Sequence, residues 1–173
     1  DYSEINDITN VIINAKNPVL YAGQGIMYSD AEKELLNFAE ILNIPVMTTM
    51  PGKSSFPENH ELSLGSSAVS TTKMISHFLN KSDVVFAIGT SLTRTPYGRD
   101  IPEGKIIIHS TNDPFDINKD YNVDYGLIGD SKLVLQDLIS CINNKVTNFE
   151  KYNNLNIRQE IKKPLNRGFL LFL

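Results

Sequence analysis

Apolar positions along the chain change their spacing repeatedly, and each change marks an element. Behind Ser3, residues Ile5, Ile8, Val11 and Ile12 recur at helical spacing. They predict a short amphipathic helix that closes before Pro18, because the residue ahead of a proline avoids the helical region. The brief run PVLYAGQG then predicts a strand ending on Gly23 and Gly25. Ser29 and Glu32 have the spacing of a capping box for the next helix, whose apolar face is Ala31, Leu35, Phe38, Ala39 and Leu42. Residues 47–49 predict a second strand, followed by a long loop punctuated by Pro, Gly, Ser and Asn, and then a helix over about 68–79. DVVFAIG is apolar throughout, as a central parallel strand covered on both faces must be. KIIIHS and DYGLIGD predict two more strands, and Leu135, Leu138, Ile139 and Ile142 a last helix.

Strands alternating with helices predict an α/β fold, a doubly wound and mainly parallel six-stranded sheet with helices on both faces, Rossmann-like and of the NAD/FAD-binding type. Residues 1–142 form the expected domain. From 143 to 173 the chain turns rich in Asn and Lys with weak periodicity, which predicts a linker or tail, and its final GFLLFL needs a partner surface. The chain begins without methionine, so we expect a piece of something longer.

Composition changes this picture little. A net charge of -4 argues against a nucleic-acid or membrane-surface partner, and no apolar run approaches the roughly 20 residues of a membrane span. The single cysteine, Cys141, excludes an internal disulfide and a cysteine-held zinc, and a reducing cytoplasm is the expected location.

Ligands of an open parallel sheet sit beyond the carboxyl ends of its strands. The candidates there are Gly23, Gln24 and Gly25; Thr48 and Thr49 with the long loop and its Gly65; Gly89, Thr90 and Ser91; and Asn112 with Asp113. Glycine amides and hydroxyls suit a phosphate, and the Asp113 carboxylate suits a ribose diol. The same glycines also suit tight strand-to-helix turns, and Asp113 a turn cap in NDP. The usual dinucleotide fingerprint fails: its third glycine would fall on Tyr28, and Thr49 and Met50 stand where an acidic ribose ligand belongs. GKS at 52–54 lacks the first glycine of a phosphate loop, which would be Met47. Arg94 and Arg99 could pair with phosphate or form surface ion pairs. Of the histidines, His77 reads as a helix residue and His109 as one at the ligand edge. His60 with Glu58 and Glu61 would be a metal site only if consecutive loop residues converged. Ser66, Ser67 and Ser70 have no base beside them in sequence.

PVLYAGQG, IPVMTTMPGKSSFPENHELSLG, DVVFAIGTSL, HSTNDP, and LIGD followed by LQDLI occur in an order and spacing that resembles the central domain of thiamine-diphosphate-dependent 2-oxo acid enzymes. That family includes acetolactate synthase, pyruvate oxidase and benzoylformate decarboxylase. The resemblance covers about residues 17–142. Its most specific part is Thr48, Thr49, Gly52 and Lys53, then Pro57, Glu58 and His60, then Leu64 and Gly65, with Ser54 and Glu61 replacing the usual glycine and proline. The resemblance implies a non-catalytic domain between a pyrimidine-binding and a diphosphate-binding domain of the same enzyme, in a homodimer or homotetramer. Thiamine diphosphate and magnesium would be held by those other domains, while central domains of the family either hold FAD or an ADP portion or have lost the nucleotide and are structural, and both stay open for this one. Where flavin-binding synthases have a G-A-R pattern, this chain has Gly89-Thr90-Ser91, and Ser110 stands where the first aspartate of the D-x-D-P turn is usual. Decarboxylase, carboligase and oxidase stay open. The alternative is a free-standing nucleotide-binding protein of the same fold, sirtuin-like or electron-transfer-flavoprotein-like, although the glycine turn lacks the sirtuin run and zinc cysteines are absent.

Overall fold

The computed structural model describes residues 2–68, 73–146 and 155–162. Helix α1 (Tyr2–Asn14) leads into β1 (Pro18–Ala22), and the junction is tied by Asp83, whose carboxylate accepts from the amides of Lys16 and Asn17 at 2.7 and 2.8 Å. A short α2 (Gly25–Tyr28) and then α3 (Glu32–Leu42) lead to β2 (Val46–Thr49). The loop that follows contains β3 (Ser63–Ser67), then come α4 (Lys73–Lys81), β4 (Val84–Ile88), β5 (Ile106–Thr111), β6 (Tyr125–Ile128), α5 (Ser131–Lys145) and α6 (Leu155–Lys162).

The six strands form one sheet in the order β3-β2-β1-β4-β5-β6, every neighbouring pair parallel. Alternate residues of each strand supply opposite faces. Leu20, Ala22, Phe86, Ile88 and Ile108 pack with α1, α3 and α5. Val19, Tyr21, Val85, Ala87 and Ile107 pack with Ile75, Phe78 and Leu79 of α4. Both faces of β4 are therefore covered, which is why DVVFAIG carries no polar alternation.

The structure corrects three expectations. Ser29 and Glu32 do not form a capping box: Ser29 ends α2, its hydroxyl donating to the Gly25 carbonyl at 2.7 Å, and α3 starts from Ala31 with no side-chain cap. Residues 63–67 are a strand rather than loop, and supply the sixth strand of the sheet. Gly65, at φ +89°, sits where the β2–β3 register shifts opposite Val46 and Met47. Helix α4 is described over Lys73–Lys81 and Ala68 is not helical, while residues 69–72, with Ser70 among them, lie outside the described residues, as does GFLLFL.

Candidate nucleotide cleft

Strand order reverses between β1 and β4, and at such a switch point the connections leave toward opposite faces and open a crevice. The turns after these two strands meet there backbone to backbone. The Gly23 amide donates to the Ile88 carbonyl at 2.9 Å and the Gly25 amide to that of Gly89 at 2.8 Å. A Cβ on Gly23 would lie 2.2 Å from the Gly89 oxygen, and one on Gly25 2.8 Å from the Gly89 Cα. Gly89 itself has φ +63°. These glycines thus let two turns cross, and their amides are spent on backbone carbonyls: Gly23 on Ile88, Gly25 on Gly89, and Gly89 on Ser110 of β5.

Above the crossing lies a cleft of about 660 Å³. Of the residues singled out from sequence, Gln24, Gly25, Thr49, Gly89, Thr90, Ser91 and Asn112 line it. Gly23, Thr48, Gly65 and Asp113 do not: Gly23 is covered by Gly89, and Thr48 Oγ1 bonds Ser66 Oγ at 3.0 Å. Asp113 caps the 3-10 turn Pro114–Asp116, accepting from the Phe115 amide at 2.9 Å.

Residues not singled out complete the walls. The segment between β4 and β5 brings Thr93, Thr95, Tyr97 and Asp100 beside Arg94 and Arg99, and Asp116, Tyr121, Asp130 and Ser131 complete the lining. The signal in sequence was the density of hydroxyl and charged residues in TSLTRTPYGRD. Arg94 is held in place: its guanidinium stacks 4.5 Å over the Tyr121 ring, and its amide donates to Asp120 Oδ2 at 2.8 Å. The Tyr121 hydroxyl donates to Asp100 Oδ1 at 3.1 Å, and burial raises its pKa. Burial likewise raises the Tyr21 pKa, eased by the neighbouring Ser67 hydroxyl. Asp130 caps α5 by accepting from the amides of Lys132 and Leu133, so the helix end is already occupied by a carboxylate.

His109 lies beneath this surface, fully buried, and its Nε2–H donates to the Thr90 carbonyl at 2.8 Å. Its Nδ1 is buried with no hydrogen-bond partner among the described residues. Burial lowers its pKa, opposed by the Thr90 carbonyl and by Asp116. Because the folded value lies below the ordinary 6.5, the unfolded chain takes up the proton first as pH falls. Stability contributed by neutral His109 is then complete above about pH 6.5 and declines below it. Urea midpoints measured from pH 7.5 to 5.5 are expected to fall less steeply in His109→Gln, which keeps an N–H donor without the titration, than in the parent. Parallel slopes would show that protonation of this ring costs nothing.

The other candidates disperse. His60 pairs with Glu40 at 3.1 Å, Glu58 with Lys53 at 3.5 Å, and Glu61 with Arg158 and Lys162. No group of metal-ligating residues occurs among the described residues. Cys141 is half-buried with Sγ 3.8 Å from Asn6 Oδ1. No described helix is long and apolar enough to cross a membrane.

Comparison with known proteins places this geometry. The family described as thiamine pyrophosphate enzyme, central domain, matches residues 5–138, and the chain belongs to it. It is 37% identical over 153 residues to a protein of Methanococcus aeolicus named as a probable acetolactate synthase large subunit, covering 87% of this chain and 26% of that protein. It is 38% identical over 140 residues to the acetolactate synthase large subunit of Corynebacterium glutamicum, covering 79% and 22%. Among solved structures, benzoylformate decarboxylase from Polynucleobacter necessarius superposes with a TM-score of 0.70 at 29% identity, over 82% of this chain and 27% of that one. The chain spans about a quarter of the length of these relatives. The matches favour a domain of a larger thiamine-diphosphate enzyme over a free-standing sirtuin-like or electron-transfer-flavoprotein-like protein.

Proposed function

We propose that this chain is the central domain of an enzyme that makes or cleaves the carbon–carbon bond beside the carbonyl of a 2-oxo acid. Thiamine diphosphate, with magnesium, supplies that chemistry from sites on the pyrimidine-binding and diphosphate-binding domains of the same cytoplasmic homodimer or homotetramer. The central domain itself does no chemistry. It orients its neighbours and holds FAD or ADP in the cleft at the switch point, and that cleft is the observation on which the reading rests.

The residues fit such a group, with one change from the glycine-cradle expectation. Since the amides of Gly23 and Gly25 bond the β4 strand end and its turn, a diphosphate falls to the hydroxyls of Thr90, Ser91 and Thr93 and to the forks of Arg94 and Arg99. Asn112 and Asp116 are the polar groups for a ribose, and the exposed Tyr28 and Tyr97 offer ring faces at the rim.

A ligand that binds only the folded chain raises its melting temperature with concentration. At a hundredfold excess over the dissociation constant, FAD or ADP is expected to add roughly 5–10 °C for a domain of this size. Arg94→Ala should remove most of the increment while leaving the unliganded melting temperature nearly unchanged. Thiamine diphosphate with magnesium should add nothing. A shift with thiamine diphosphate instead of FAD or ADP would overturn the assignment of roles among the domains.

A further inference from the structure

Helix α6 docks on a part of the domain that the cleft does not use. Its eight residues, LNIRQEIK, are too few and too polar to stay helical in water alone, so its shape is tied to what it touches. Ile157 packs against the apolar clusters of both sheet faces and Ile161 against the α4 side. These two residues are four apart and share one face of the helix.

Charges flank that apolar pair on either side. On one flank Arg158 Nη1 lies 3.2 Å from Glu61 Oε2 and its Nε donates to Asn43 Oδ1 at 2.9 Å, while Lys162, a turn later, pairs with the other Glu61 oxygen. On the other flank Glu160 Oε1 is 2.6 Å from His77 Nε2, and Glu160 Oε2 is 3.3 Å from Lys81 Nζ. Asn43 ends α3 and Glu61 precedes β3, so the dock lies at the amino ends of β2 and β3, opposite the cleft. Glu61 is also the position where the resembled motif carries proline, a residue with no charge to offer. A helix laid down in reverse would bring Glu160 toward Glu61, and one slipped by a turn would part Glu160 from His77 and Lys81, so the charges favour one direction and register.

We propose that α6 is a charge-registered clasp that fixes the direction in which the chain leaves the domain, Glu61 reading the two cations of α6 while His77 and Lys81 read its one carboxylate. This goes beyond the nucleotide reading and does not depend on it. In a protein of several domains, the clasp sets where the segment after residue 162 starts relative to the cleft.

Hydrogen exchange read by mass spectrometry on the whole chain tests this. Amides of 157–162 are expected to be protected in the parent, and Glu61→Lys should speed their exchange on the order of tenfold while amides of β1 and β4 keep their protection. Arg158→Glu with Lys162→Glu should do the same without touching the body of the domain. Combining all three substitutions re-forms opposite charges with the sign reversed and should restore most of the protection. Exchange in Glu61→Lys equal to that of the parent, or a triple variant as fast as Glu61→Lys, would overturn the clasp as a charge-read device, since Glu61 would then not read the cations of α6. Retained protection in β1 and β4 separates either result from unfolding.

Discussion

Gly23→Ala is expected to cost about 3 kcal/mol or more, lowering the melting temperature by roughly 10 °C, although it adds a single methyl group. The methyl would meet the Gly89 oxygen at 2.2 Å and the Thr90 Cα and Cβ at 2.7 and 2.6 Å. Two of these three atoms are backbone, and a backbone obstacle cannot rotate aside as a side chain can. Relief therefore requires the turn after β4 to move away from that after β1, breaking the 2.8 Å bond from the Gly25 amide to the Gly89 carbonyl. Gly98→Ala is the control: it sits in the cleft wall, and its added methyl meets first the Thr95 hydroxyl at 3.1 Å, a side chain whose turning gives up only an exposed 2.9 Å bond from the Gly98 amide. Its urea midpoint should stay close to the parent's. The pair separates two reasons for a glycine at a strand end, close chain crossing and open approach for a phosphate. Equal midpoints for the two variants would mean that Gly23 is not a crossing residue, and would return the glycine turn to the list of phosphate ligands.

What the sequence makes legible here follows from where each element takes its stability. The strands β1, β4 and β5 are buried among apolar neighbours on both faces, so their composition alone announces them. Strand β3 reads SLGSS and was invisible for the opposite reason: it is an edge strand whose pairing to β2 comes from the backbone, with a register shift at Leu64 between Ser63 and Gly65. The Ser29–Glu32 spacing misled because a serine hydroxyl can serve the helix behind it as readily as the one ahead, and here α2 intervenes. Helix α6 gives no local signal, since its ion pairs reach residues 97 and 83 positions away. At the cleft, glycine turns mark the crossing point, whereas Tyr121, Asp116 and Asp130 come into place only once β5, β6 and α5 are assembled.

Phe86→Ala is expected to be the other severe substitution, costing about 3–5 kcal/mol out of a total that for domains of this kind is roughly 5–15. Phe86 is 2% exposed at the middle of β4, and its ring meets that of Phe38 edge to face at 5.9 Å, joining the sheet to α3. Alanine leaves a void between two elements held by backbone bonds and helix packing, so neither collapses to fill it. Strand β4 also carries Gly89 and Thr90 at its end, so the loss should appear as a weaker nucleotide-dependent shift as well as a lower midpoint. Val85→Ala, one residue earlier on the opposite face, tests the two-sided burial on which the fold assignment rests. It removes less volume and should cost about 1–3 kcal/mol, because α4 covers that face as α3 and α5 cover the other. A midpoint for Val85→Ala indistinguishable from the parent's would mean that the α4 face is not a packed core. β4 would then be a one-sided strand, and the doubly wound arrangement that creates a switch point would lose its support in solution.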